Sequence, residues 1–435
     1  MSQNVPQNAP QTYATALLTD RYELTMLQAA LAAGTAHRGA VFEVFARRLP
    51  GGRRYGVIAG TDRVLDALEA FRFEDDDLEF LAAEGIVDDR TLAFLADYRF
   101  SGNVHGYREG EVFFPGSPIL VVEGTFAEAV LLETVILSIL NHDCAIAAAA
   151  SRMAGAAGGR PLIEMGSRRT HEAAAVAAAR AAYLCGFSST SNLMAGRRYG
   201  VPTAGTAAHA FVLLHDSEKE AFRAQLDSQG LGTTLLVDTY DVAAAVRTAV
   251  EVAGDELGAV RIDSGDLAAV AVDVRRRLDE YGARRTGIVV TGDLDEFAIA
   301  ALAAAPVDAY GVGTALATGS GHPTASLVYK LVARENAAGE MTPVAKRSVG
   351  KPSKGGRKWA YRRTENGRAT GEIVTTAPVD GDDRPLLAEL VRDGRVIGRE
   401  PLDAARERHR SALTELPMEA RSLSPGDPAV PTIFN

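Results

Sequence analysis

The feature that most limits what this chain can fold into is a regular alternation between residue 160 and about residue 334. Apolar runs at 161–165, 201–206, 234–238, 259–263, 287–291 and 308–313 each end in a polar or glycine-containing turn. Between them lie helical stretches at 171–184, 218–229, 240–252, 267–281 and 294–304. Strands alternating with helices build right-handed βαβ crossovers and therefore a parallel sheet. The number of units predicts a TIM-like α/β barrel, closed or nearly so; an open doubly wound sheet is the alternative.

The flanks read differently. Residues 1–13, rich in Gln, Asn and Pro, are expected to be a disordered lead-in, and 14–150 a separate α/β domain. In the latter, 17–33 places Leu24, Leu27 and Leu31 at helical spacing, and 41–45 alternates like a strand. Acidic helices run from 73 to 98. From 102 to 123, short apolar runs broken by Gly and Pro predict antiparallel strands with tight turns, and a helix is expected over 126–151. The barrel is bounded at 151–336, with a C-terminal extension at 337–435. Its basic stretch, 346–363, contains Lys351, Lys354, Arg357, Lys358 and the single tryptophan, Trp359. A solvated surface lobe is the favoured reading there, ahead of a phosphate-contacting flap, with an extended tail over 425–435.

Composition removes several classes. A net charge of −10 gives no positive field to gather a polynucleotide, so no nucleic-acid partner is expected. Two cysteines cannot build a disulfide framework or a Cys-rich zinc site. The apolar segment 127–140 is interrupted by Glu128 and Glu133 and is too short to cross a bilayer. With no signal-like run near Met1, a cytoplasmic protein with no membrane partner is expected.

In parallel α/β barrels the chemistry sits at the carboxyl ends of the strands. The first run is followed by Gly-Ser-Arg168-Arg169. Paired guanidiniums are usually surface charges, but at a strand end beside a helix start they form an anion site. The turn 186–192 is hydroxyl-rich with one aromatic, Phe187; helix capping explains part of it and substrate contact the rest. His209 stands three residues past Thr206, at another strand end, where an imidazole can serve as base, proton donor or phosphoryl acceptor. Arg261 and Asp263 share one face of a strand, and Asp266 follows across a Ser-Gly turn. These carboxylates suit ribose hydroxyls or Mg²⁺ held through water, and Asp266 can also cap the next helix. Gly292 in one turn, and Gly313, Thr314 and Thr318 in the next, form Gly- and hydroxyl-rich cradles for a phosphate.

In their order along the chain these motifs resemble those of nicotinate phosphoribosyltransferases, of the type II phosphoribosyltransferase group. The resemblance runs from Thr19-Asp-Arg-Tyr-Glu-Leu-Thr-Met26 through 42–60, 164–169, 205–212, 261–267 and 291–293 to 310–318 and Tyr329-Lys-Leu331. It implies an N-terminal α/β sandwich domain, an irregular barrel and a homodimer with shared active sites. It also implies that Tyr22 stacks on a pyridine ring from the partner subunit, and that Thr206 contacts nicotinate. Arg168 or Arg261 would meet the carboxylate or a phosphate, Asp263 and Asp266 would serve ribose and Mg²⁺, and Gly292, Gly313, Thr314 and Thr318 would hold the 5-phosphate. His209 matches a histidine transiently phosphorylated by ATP. The implied reaction converts nicotinate, phosphoribosyl pyrophosphate, ATP and water into nicotinate mononucleotide, ADP, phosphate and pyrophosphate, a step in NAD biosynthesis. Arg21, Glu23, Ala210 and His171 depart from the family pattern. Rival readings are a nicotinamide- or quinolinate-using transferase of the same fold and a non-catalytic metabolite-binding barrel. The arginine pair and the Gly-Thr-x-x-His turn favour the acid.

Overall fold

The strand Gly39–Ala46 is buried at every residue but its first, which is why it reads as an almost unbroken apolar run. It pairs antiparallel with Leu120–Thr125 on one side and Leu327–Glu335 on the other. In this computed structural model, residues 14–346 and 353–435 are described. The expected lead-in 1–13 and Lys351 lie outside them. The chain divides into two compact units, Met1–Ala148 with His322–Asn435, and Ala149–Gly321.

The first unit corrects the expectation of a separate C-terminal extension. Its seven-stranded sheet runs in the order Met341–Pro343, Leu327–Glu335, Gly39–Ala46, Leu120–Thr125, Asn103–Gly106, Ala388–Arg392, Arg395–Val396. Strands from both ends of the sequence thus share one sheet, and the second unit ends at Gly321 rather than 336. Phe42 and Tyr329 stack across the central pair at 4.8 Å, and helix Arg21–Ala32 buries Leu24, Leu27 and Leu31 in the same core.

The basic stretch is not a solvated lobe. Lys358 is 2% exposed and its Nζ donates to both oxygens of Glu43 at 2.9 and 2.8 Å. Arg357 donates to Glu123, and Arg362 to Glu372 at 3.0 Å. Trp359–Glu365 belongs to a four-stranded sheet with Arg384–Pro385, Arg368–Thr375 and Thr432–Phe434, so part of the expected tail is a sheet strand. The carboxylates that neutralise Lys358 and Arg357 come from the N-terminal half of the chain, and no local pattern could announce them.

The helix expected over 126–151 is two. Phe126–Val130 opens with a capping box in which Thr125 and Glu128 satisfy each other's backbone N–H groups. Glu133–Ala157 follows, ending six residues beyond the expected boundary. By length and composition it could cross a bilayer, but 67% of its most apolar stretch is buried inside the protein, which makes it a core helix.

In the second unit six parallel strands lie in the order Ser189–Thr190, Leu162–Glu164, Ala309–Val312, Gly287–Val290, Ala259–Ile262, Thr234–Leu236. The first and last strands in sequence, Leu162–Glu164 and Ala309–Val312, are neighbours, as barrel winding requires. The sheet is a curled half-barrel. The expected strand 201–206 contributes only a parallel bridge from Thr203 to Thr190, beyond the Ser189–Thr190 edge. Pro202 at its start has no N–H to give a ladder. Leu162, Leu235, Val260, Ile262, Ile288, Val290, Tyr310 and Val312 share one face of the sheet, are each at most 1% exposed and form its packed side.

Candidate active site

Because the six strands are parallel, the turns that follow them leave from one edge. The turn after Ala259–Ile262 is the most densely bonded. Asp263 Oδ1 accepts from the Thr291 hydroxyl of the next strand's turn. Its backbone N–H donates to Asp238 Oδ2 at 2.9 Å, and the Ser264 hydroxyl donates to the same oxygen at 2.7 Å. Asp238 follows the strand Thr234–Leu236, so three neighbouring turns are tied through two carboxylates.

Arg261 lies on the same face as Asp263, while Val260 and Ile262 point into the core. Its Nη1 donates to the Thr206 hydroxyl. Burial lowers the guanidinium's pKa against the pull of Asp263 and Asp238, and nearby Arg168 lowers it further. The segment beyond Thr203 therefore reaches across the open side of the half-barrel to the Ala259–Ile262 strand. There, His209 opens the short helix His209–Leu213. Its Nδ1 lies 3.1 Å from the Thr239 hydroxyl and its Nε2 lies 3.9 Å from Asp238 Oδ1. The Asp238 side chain is 2% exposed, and its Oδ1 has no hydrogen-bond partner, as is also true of Arg261 Nε.

Two glycines are required by close approach. A Cβ on Gly292, at φ 108°, would stand 2.4 Å from the Asp263 carbonyl oxygen. One on Gly166 would stand 2.9 Å from Ala317 Cβ and 3.1 Å from the Gly313 carbonyl. The turns carrying Arg168 and Thr314 are thus pressed together, backbone to backbone. Gly313 precedes the helical turn Thr314–Ala317, and Thr318 returns its hydroxyl to the Thr314 carbonyl at 2.9 Å.

The structure accordingly gathers Arg168, Thr206, His209, Asp263, Gly292, Gly313 and Thr314, with Arg261 from the strand Ala259–Ile262, at one sheet edge. Arg168 and Arg169 are exposed in the Gly166–Arg169 turn. Asp266 caps helix Leu267–Glu280, accepting from Ala269 N at 3.1 Å. Phe187 is a correction: at 0% exposure it is a core side chain and presents no surface to a ligand. It directly follows Gly186, whose φ of 115° turns the chain inward to start the strand. His171, the unusual neighbour of the arginines, caps helix Glu172–Leu184. In the first unit, Tyr22 is 45% exposed on helix Arg21–Ala32, and burial of its lower part and hydrogen-bonded Glu133 push its hydroxyl's pKa up. Sequence reasoning missed Asp238, Thr239, Glu164 and Thr190. Asp238 ends an apolar run just as Asp263 does, and that signal could have marked it. Among the described residues no three His, Cys, Asp or Glu side chains form a metal cage.

Residues 17–141 match the model of the nicotinate phosphoribosyltransferase (NAPRTase) N-terminal domain, and 161–371 that of the nicotinate phosphoribosyltransferase (NAPRTase) family. A nicotinate phosphoribosyltransferase of Mycobacterium tuberculosis is 57% identical over 432 residues, covering 96% of this chain and 94% of that protein. The crystal structure of human nicotinic acid phosphoribosyltransferase superposes with a TM-score of 0.82 at 28% identity, over 96% of this chain and 97% of that one. A nicotinate-nucleotide pyrophosphorylase from Pyrococcus furiosus superposes with a TM-score of 0.76 at 26% identity, over 95% and 99%.

Proposed function

The chain belongs to the nicotinate phosphoribosyltransferase family, and from that premise we propose that it joins nicotinate to the ribose of 5-phosphoribosyl 1-pyrophosphate, coupled to ATP through His209. The observation that carries this reading is the meeting of Arg168, Arg261, Asp263 and His209 at the carboxyl edge of one parallel half-barrel.

Departure of pyrophosphate builds positive charge at ribose C1, and the pyridine nitrogen attacks that centre; catalysis is chiefly positioning and charge stabilisation. Asp263, held by Thr291, presents a fixed acceptor to the ribose hydroxyls. Arg168 and Arg261 supply the cationic partners for the nicotinate carboxylate or a phosphate, with Arg169 beside them. Thr206 and Arg261, already hydrogen-bonded, form the floor for the acid. Gly292, Gly313, Thr314 and Thr318 cradle the 5-phosphate. Tyr22 stacks on the pyridine ring of a site completed by a second copy of the chain, in a cytoplasmic homodimer.

The residues fit Mg²⁺ in the form that needs few protein ligands, since this cation takes one or two carboxylates together with substrate phosphates and water. When bound it would offset the charge of the leaving pyrophosphate, with Asp263 and Asp266 holding its water shell. In the ATP-coupled step a nitrogen of His209 attacks the γ-phosphorus, the bond to ADP breaks, and water later releases phosphate.

The test is incubation with ATP labelled at the γ-phosphate. Acid-labile label should appear on the protein and vanish in His209→Ala, whose nicotinate turnover should fall at least ~100-fold. Unlabelled protein with undiminished turnover in the variant would remove His209 from the mechanism. Turnover of nicotinate, nicotinamide and quinolinate measured side by side decides the acceptor; preference for either of the last two would overturn the choice of nicotinate.

A further inference from the structure

Glu164 has no part in the chemistry above, although it ends the strand that leads to the arginine pair. It is 1% exposed, and both of its oxygens are in use. Oε1 accepts from Gly166 N and Oε2 from the Thr190 hydroxyl. Thr190, 0% exposed, accepts in turn from Asn192 N at 2.9 Å, and Asn192 Nδ2 donates to Ser167 Oγ at 3.0 Å. The loop closes on itself: Glu164 to Thr190, Thr190 to Asn192, Asn192 to Ser167, and Ser167 adjoins Arg168.

The turn is fixed from its other side as well. Arg169 N donates to the Gly166 carbonyl at 2.9 Å, and there is no room for a side chain at Gly166. A buried acid is a costly way to stabilise a sheet edge, because burial penalises its charge, and here burial pushes its pKa up against the two hydrogen bonds. An apolar residue would pack there at lower cost. What the carboxylate adds is direction, two acceptors that select one path for the backbone from Met165 to Arg169. At the end of that path stands Arg168, exposed, close enough to lower the proton affinity of Arg261, and with no carboxylate partner among the described residues.

We propose that Glu164 is a positioning residue which, through Thr190, Asn192 and Ser167, holds Arg168 where it meets the carboxylate of the substrate, so that this buried relay sets the preference for a pyridine acid over its neutral amide. The proposal rests on the nicotinate reading given above. It locates acid specificity one layer beneath the arginine that makes the contact. Arg168 supplies the charge; the relay removes the freedom of its turn, which would otherwise be lost on binding.

The test is steady-state kinetics of the full chain with nicotinate, nicotinamide and phosphoribosyl pyrophosphate, for the wild type, Glu164→Gln, Thr190→Val, Arg168→Ala and the Glu164→Gln/Arg168→Ala double variant. Glutamine keeps the volume but has a single acceptor oxygen; valine keeps the shape of Thr190 and removes its donor, so one variant serves if the other fails to fold. Glu164→Gln and Thr190→Val should each raise the nicotinate KM roughly tenfold, with kcat and the phosphoribosyl pyrophosphate KM within about twofold of wild type. In the Arg168→Ala background Glu164→Gln should add less than about twofold, because the relay acts only through that arginine. An unchanged nicotinate KM, a uniform loss on all substrates, or full additivity with Arg168→Ala overturns the proposal while leaving the nicotinate reading intact. A wild type that prefers nicotinamide overturns both.

Discussion

The sheets of the first unit and the carboxyl edge of the second unit's half-barrel treat buried charge in opposite ways. In the first, ions taken out of water are matched: Lys358 with Glu43, Arg362 with Glu372, and Asp143 with both Arg63 at 2.7 Å and His142 at 2.8 Å. In the second, at the carboxyl edge of the half-barrel, Asp238 Oδ1 meets no cation among the described residues nearer than His209 Nε2 at 3.9 Å, and Arg261 donates to the neutral Thr206 hydroxyl. A buried polar group left unpaired costs on the order of 1–3 kcal/mol. Matched ions fix where strands from the two ends of the sequence meet, whereas unmatched ones at strand ends are poised for a ligand. The same residue types thus build scaffold in one unit and a site in the other.

The hardest blow to that contrast is Lys358→Met, which leaves Glu43 buried without its cation. Loss of one partner of a buried pair should cost about 3–5 kcal/mol of stability, read from urea unfolding, with kcat of the folded enzyme unchanged. If kcat falls while stability holds, the pair belongs to the chemistry and the contrast breaks. Asp238→Asn probes the other side. Its kcat/KM should drop on the order of 10- to 100-fold, the worth of one hydrogen bond to a charged group, with little change in the unfolding midpoint. A large loss of stability without that drop would make Asp238 scaffold too.

The smallest effect sharpens the contrast at its exception. Glu23, in the first unit, is buried against hydroxyls rather than a cation, with Thr134 and Thr19 donating to it. Burial pushes its pKa from 4.5 up to about 7, while those hydrogen bonds pull it down. The native state then holds a proton that the unfolded chain releases, so this contribution to stability is complete below pH 4.5 and is lost as pH rises through 7. Glu23→Gln should remove that part of the slope, and its stability relative to wild type should rise between pH 5 and pH 8. A parallel pair of stability curves would mean that Glu23 stays ionised through its hydroxyl partners.

Much of the second unit was legible because its information is local. Each barrel strand is a short apolar run, each turn a cluster of Gly, Ser, Thr and Asp, and the period tells strand from helix wherever it is written in the chain. Parallel winding then brings the turn ends together without any residue having to name its partner, so Arg168, His209, Asp263 and Thr314 could be marked in advance. Phe187 was misjudged because a single aromatic in a polar turn carries no sign of which way it faces. Asp238 and Glu164 were missed because their roles depend on which neighbours share their oxygens.

The sequence by itself determined the βαβ rhythm, the polar turn at each strand end and the family. Tertiary structure alone decided that the segment His322–Asn435 completes the first unit's sheets, and that Lys358 finds Glu43 across 315 residues of sequence. Hydrophobic period is a property of neighbours along the chain. Charge pairing is a property of neighbours in space, and folding is what makes the second list from the first.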